Sequence, residues 1–192
     1  MTPKLRNFNE EQWDVARCLH EFYAALRNNK RDRLEAAMET AARLGCWRQA
    51  IAQFLTIPTP DPKLGSALLS FWNDYGLWRI GRELADDLTV FVDVLRRFLN
   101  PYAGPGMTLY RGEILKRHRI AQYGIAWTTD RKVAEGFAEL RTLLDGGGVL
   151  LRCHVPSHAI ISAPTAHSAD WLREYEYIVD PRSLSNVDFL SD

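Results

Sequence analysis

Along the first hundred residues the apolar positions recur at helical spacing. Val15, Leu19, Phe22 and Leu26 fall four, three and four residues apart, and Asn9 ahead of Glu10 and Glu11 is a candidate N-cap. Asn28-Asn29 interrupts this stripe. Leu34, Met38, Ala41 and Leu44 begin a second, with Gly45 as a candidate C-cap. Trp47, Ala50, Ile51, Phe54 and Leu55 predict a short third helix, which Pro58, Pro60 and Pro62 stop. Leu68, Leu69, Phe71, Trp72 and Tyr75 predict a fourth helix before Gly76. Leu84, Leu88, Phe91, Leu95 and Phe98 form the clearest apolar face of this half. Trp13, Trp47, Trp72 and Trp78 all fall here, and at helical spacing they predict core packing rather than an aromatic binding surface.

Asn100-Pro-Tyr-Ala-Gly-Pro-Gly106 is the strongest break in the chain. Beyond it the pattern becomes that of short strands. Thr108 to Gly112 predicts a strand ending in a turn, followed by the basic cluster Lys116, Arg117, His118 and Arg119, expected to be exposed. Gly124 to Thr129 predicts a second strand. A helix follows from a cap at Thr129 or Asp130 through Val133, Phe137, Leu140 and Leu144, ended by Gly146-Gly-Gly148. Val149 to Val155 and Ala159 to Ile161 predict two more strands, Ser162 to Asp170 a loop, and the aromatic and β-branched run around Glu174 to Val179 a further strand. The expected fold class is α+β, with a helical N-terminal region over residues 1–103 and a core of short, mostly antiparallel strands over 104–192.

Composition narrows the function classes. The 24 basic residues balance 24 acidic ones, so a generic attraction to nucleic acid or anionic membrane has no support beyond a local patch. Three scattered cysteines predict neither a disulfide framework nor a metal cluster and suit a reducing compartment. The histidines show no metal-ligand spacing. No apolar run approaches bilayer-spanning length and the N-terminus reads as no signal peptide, so a cytoplasmic setting is expected, or delivery into a target cytoplasm.

The candidate chemistry lies in Glu174-Tyr175-Glu176. In a strand, residues two apart share a face, so both carboxylates are expected to project side by side, where like charges resist ionising together. Taken alone, such a pair is also what an acidic edge strand carries. Three segments in order alter that balance: Leu-Tyr-Arg-Gly (109–112); Gly-Ile-Ala-Trp-Thr-Thr-Asp (124–130) leading into a helix with Ala134 and Phe137-Ala138; and Glu-Tyr-Glu-Tyr-Ile-Val-Asp-Pro (174–181). Together they resemble the motifs of the arginine–serine–glutamate class of ADP-ribosyltransferases, nearest in flavour to small bacterial and phage toxin-like members, over Met107 to Asp188.

That resemblance implies a mono-ADP-ribosyltransferase that cleaves NAD as co-substrate, needs no metal, and transfers ADP-ribose to a protein arginine or a nucleic acid. It also implies a toxin or host-modifying role and, with it, an inhibitor or antitoxin partner. Arg111 would contact NAD, since a guanidinium fork suits a pyrophosphate, and Gly112 would let the ligand approach the backbone. Trp127, Thr128 and Thr129 match the family's Ser-Thr-Ser, with Trp127 in place of the serine that orients the catalytic glutamate. Trp127 has three readings: a donor to that carboxylate, a wall against nicotinamide, or a core residue. Glu176 would stabilise the ribose cation and Glu174 would assist the acceptor. Trp171, in the loop from Thr165 to Arg173, would touch the acceptor or pack the loop on the sheet. Hydrolysis of NAD by water and an inactive interaction protein of the same fold are the rival expectations.

Overall fold

A computed structural model describes residues 8–76, 80–81, 83–84 and 87–190. It is an α+β protein in two compact units, Met1–Leu99 and Asn100–Asp192. The division falls at the start of the Pro/Gly stretch rather than at residue 103, so Asn100 to Gly106 belongs with the strands.

The N-terminal unit holds helices α1 (Phe8–Arg27), α2 (Arg31–Leu44), α3 (Trp47–Phe54), α4 (Pro62–Tyr75) and α5 (Thr89–Phe98). Helix α1 starts at Phe8, so Asn9 lies within it and is not its N-cap. Gly45 does end α2, in the left-handed conformation at φ 68°. Asp61 caps α4 by accepting from the Lys63 N–H, with Pro62 in the first helical position. The last helix is shorter than its apolar pattern, and Leu88 is its N-cap. Trp47 and Trp72 are buried as expected, in edge-on and tilted stacks with Phe22, Phe71 and Phe91. Trp13 is a correction: it is 77% exposed and packs in no core. Trp78 lies outside the described residues. Cys18 and Cys46 are far apart in sequence, and burial, together with the neighbouring Cys18 thiol, pushes Cys46 up to about 12.

The C-terminal unit is one six-stranded antiparallel sheet in the order β4-β5-β2-β1-β3-β6. Its strands are β1 (Met107–Ile114), β2 (Ala126–Thr128), β3 (Gly148–Val155), β4 (Ile160–Ser162), β5 (Glu176–Val179) and β6 (Asp188–Leu190), with helices α6 (Leu115–Arg119) and α7 (Arg131–Asp145) between them. Strand β1 does not turn at Gly112 but runs on to Ile114, paired residue for residue with β3. Residues opposite each other across antiparallel strands share a face. One face therefore carries Leu109, Trp127, Val149, Leu151 and Cys153, which form the core cluster with Val155, Ala159, Ile160 and Val179. The other carries Tyr110, Gly112 and Ile114, and α7 packs there.

Gly112 permits that packing. A Cβ built on it would stand 2.3 Å from the Ala138 nitrogen and 2.6 Å from the Ala134 oxygen, both backbone atoms of α7 that cannot step aside. The close approach Gly112 allows in this fold is thus that of a helix. Gly112→Ala is expected to cost about 3 kcal/mol, at the upper end of overpacking penalties, by levering α7 off the sheet. Urea unfolding checks this, and an unchanged midpoint would show that α7 does not depend on the gap.

Candidate functional site

The three motif segments, distant in sequence, lie on adjacent strands: β2 stands between β1 and β5. Thr128 is directly opposite Glu176 on one side and Tyr110 on the other. The same row continues through Arg152 of β3 to Asp188 of β6. Glu176, Thr128, Tyr110 and Arg152 thus project to one face. Arg152 pairs with Asp188 at 2.8 Å, with both side chains about half exposed. Thr128 is buried, and its hydroxyl accepts from the Asp130 N–H at the entrance to α7, where Asp130 in turn caps the helix through Lys132 N–H. Thr129 is exposed beyond the end of the strand.

Trp127 pairs with Tyr177, one step along, and so faces the other way. It is 1% exposed, belongs to the core cluster, and donates its indole N–H to the Gly124 carbonyl at 3.0 Å. Of its three readings, the core residue is the one this geometry realises. The position beside Glu176 is Thr128's, a residue with a hydroxyl.

Arg111 also projects to the core face, because it alternates with Tyr110 along β1. Its Nε donates to the Glu113 carboxylate at 2.8 Å and its Nη1 to the Ala126 carbonyl at 2.5 Å. Its Nη2 lies in a slot left by Gly124, where an added Cβ would come within 2.1 Å of it. Glu113 is 1% exposed, accepts from the N–H groups of Gly124 and Ile114, and has Arg117 Nε at 3.8 Å from its other oxygen. Burial alone would raise this carboxyl. The two arginines and the N–H donors outweigh it and hold the group below the usual carboxylate range. Arg117 is therefore turned inward, unlike its neighbours Lys116 and Arg119, which are exposed. Two donor positions of the Arg111 guanidinium are committed within the protein, and the sheet lies between it and Glu176.

Glu174 and Glu176 do not stand side by side on a strand. Strand β5 begins only at Glu176, and Arg173 and Tyr175 have φ of 57° and 49°. Left-handed residues on either side of Glu174 break the two-residue alternation that the pairing argument needs. The loop before them contains a single π-helical turn, His167–Trp171. Trp171 is 79% exposed, so it does not pack the loop on the sheet, and Tyr175 is 41% exposed.

A residue outside the motifs organises this corner. Ser168 is fully buried; its carbonyl accepts from Glu174 and Tyr175 N–H, and its hydroxyl accepts from Glu176 N–H at 2.8 Å. Its own N–H donates to the Thr165 hydroxyl. Nothing in the local pattern sets Ser168 apart from the other small polar residues of the loop.

Among the described residues, no group of three or more His, Cys, Asp or Glu side chains could hold a metal ion. No helix among them is long and apolar enough to cross a membrane. Compared with protein-family models, with curated proteins and with solved structures, the chain matches none.

Proposed function

We propose that the C-terminal unit is an NAD-dependent mono-ADP-ribosyltransferase acting on a macromolecular acceptor, a protein arginine or a nucleic acid. The observation that carries the proposal is the adjacency of β1, β2 and β5, with Thr128 opposite Glu176. The sequence resemblance needs its three motifs gathered on neighbouring strands, and the fold gathers them. In the reaction the bond between nicotinamide and the ribose C1′ breaks, and nicotinamide leaves with the bonding electron pair. The acceptor nucleophile then bonds to C1′ and loses its proton. Glu176 would stabilise the oxocarbenium character that develops at the ribose, an interaction stronger in the transition state than in the ground state. Glu174 would receive the acceptor proton. Thr128 supplies the hydroxyl of the second motif on the face of Glu176.

The test is the fate of label from NAD radiolabelled in its adenylate half, incubated with the full chain and whole-cell lysate. Label that protease or nuclease releases from a macromolecule is the expected result and names the acceptor class. Label found only as free ADP-ribose, with nicotinamide released, makes water the acceptor.

The second reading is a binding protein that keeps this fold without turnover, and the Arg111–Glu113 pair favours it. A cation already neutralised by a buried carboxylate is not available to a pyrophosphate as a fork. Calorimetric titration with NAD separates the two: the enzyme reading needs a binding isotherm, and a flat titration supports the binding protein.

A further inference from the structure

We infer that Ser168 is a positioning residue for Glu176, acting through the backbone rather than by touching substrate; the inference rests on the enzyme reading above. A carboxylate that stabilises a transient cation contributes only if it is already in place when the charge develops. The strand ladder alone does not fix Glu176. It is the first residue of β5, and two left-handed residues precede it within three positions. Non-glycine residues in that region are strained and persist only where their surroundings impose them.

What imposes them is Ser168. Its carbonyl holds the N–H groups of Glu174 and Tyr175 at 2.9 and 3.3 Å, and its hydroxyl holds that of Glu176 at 2.8 Å. Three consecutive backbone donors thus converge on one residue with no exposed surface. Thr165 extends the arrangement by accepting the Ser168 N–H at 3.1 Å. The chain entering the strand is thus wrapped around one buried residue of the π-turn, two of the bonds going to its carbonyl and one to its hydroxyl. The same wrapping presents Trp171 and Tyr175 to solvent on either side of Glu174. The hydroxyl is the part of this clamp that a side chain supplies. Without it, Glu176 loses its own bond while Glu174 and Tyr175 keep theirs to the carbonyl.

The test compares the full-length protein with Ser168→Ala and with Ser168→Cys, which keeps nearly the same volume and offers a weaker acceptor. In Ser168→Ala the Glu176 amide is expected to exchange its hydrogen about tenfold faster, the scale of one lost hydrogen bond, with the β3 amides of Leu150 to Arg152 as protected as before. Nicotinamide release from NAD is expected to fall about tenfold in kcat with KM for NAD unchanged, and Ser168→Cys to lie between the two proteins. An unchanged Glu176 amide overturns the clamp. A faster amide with unchanged kcat overturns the positioning role. Failure of the enzyme reading shows separately, as a wild-type protein that releases no nicotinamide, and the exchange result still decides the clamp.

Discussion

Glu176→Ala is expected to lower nicotinamide release from NAD by about a hundredfold or more while leaving the fold intact, because preorganised charge aimed at a developing ion is worth that much when removed. The backbone part of what Glu176 contributes to the fold does not depend on its side chain. Its backbone N–H holds the Ser168 hydroxyl and its backbone pairs with Thr128, and alanine keeps both. Its side chain is only half-buried, so truncation opens no large cavity. Glu176→Gln separates charge from shape. It retains size and hydrogen-bonding capacity but cannot offset a positive ribose, so it should lie close to the alanine variant and far from the wild type. Nicotinamide release measured for all three, beside their thermal unfolding midpoints, decides the matter. Full turnover in Glu176→Ala would remove the carboxylate from the chemistry and the enzyme assignment with it.

The candidate site was legible in the sequence as a set of segments but not as a set of side-chain directions. The helical stripes, the break at Asn100 to Gly106, the cap and end of α7 and the course of β3 follow from periodicity and punctuation, which are local. A face is set by register, which pairing partners fix. Trp127 and Thr128 are neighbours in the sequence, and in a strand one residue inverts the face. The ladder puts Thr128 opposite Glu176 and sends Trp127 into the core. The two-residue alternation applied to Glu174 and Glu176 fails because Tyr175 is left-handed. Applied to Arg111 and Glu113 it holds, and it finds the buried pair that motif matching passed over. Ser168 could not be found this way: its importance lies in backbone donors reaching it from six to eight residues on.

The Arg111–Glu113 pair leads to the second large expected effect: Glu113→Gln should destabilise the protein by about 3–5 kcal/mol at neutral pH, the cost of removing one partner from a buried ion pair. The reason lies in how β1 and β2 are joined. Their register has a single pair, Tyr110 with Thr128, where β1 and β3 share eight. Side chains complete the seam: Arg111 Nη1 bonds the Ala126 carbonyl, and Glu113 Oε2 bonds the Gly124 N–H while holding Arg111 by its Nε. Through Glu113 the strand that carries the first motif is fastened to the strand that carries Thr128. A glutamine oxygen in the Oε2 place can keep both of these bonds, but its NH2 then stands where Oε1 accepts the Ile114 N–H, and Arg111 and Arg117 are left without the charge between them. The pH dependence has a definite sign. Because the folded carboxyl lies below its ordinary value of 4.5, its stabilisation is fully present above that value and is lost as pH falls through the lowered folded one. Urea unfolding of wild type and Glu113→Gln from neutral pH downwards should therefore show a gap that is constant to about pH 5 and closes in more acid solution. A gap independent of pH would mean that the carboxylate charge does not hold the seam. A seam that does depend on it makes Arg111 a structural cation first, so whatever anion binds near β1 must compete with Glu113 for the guanidinium.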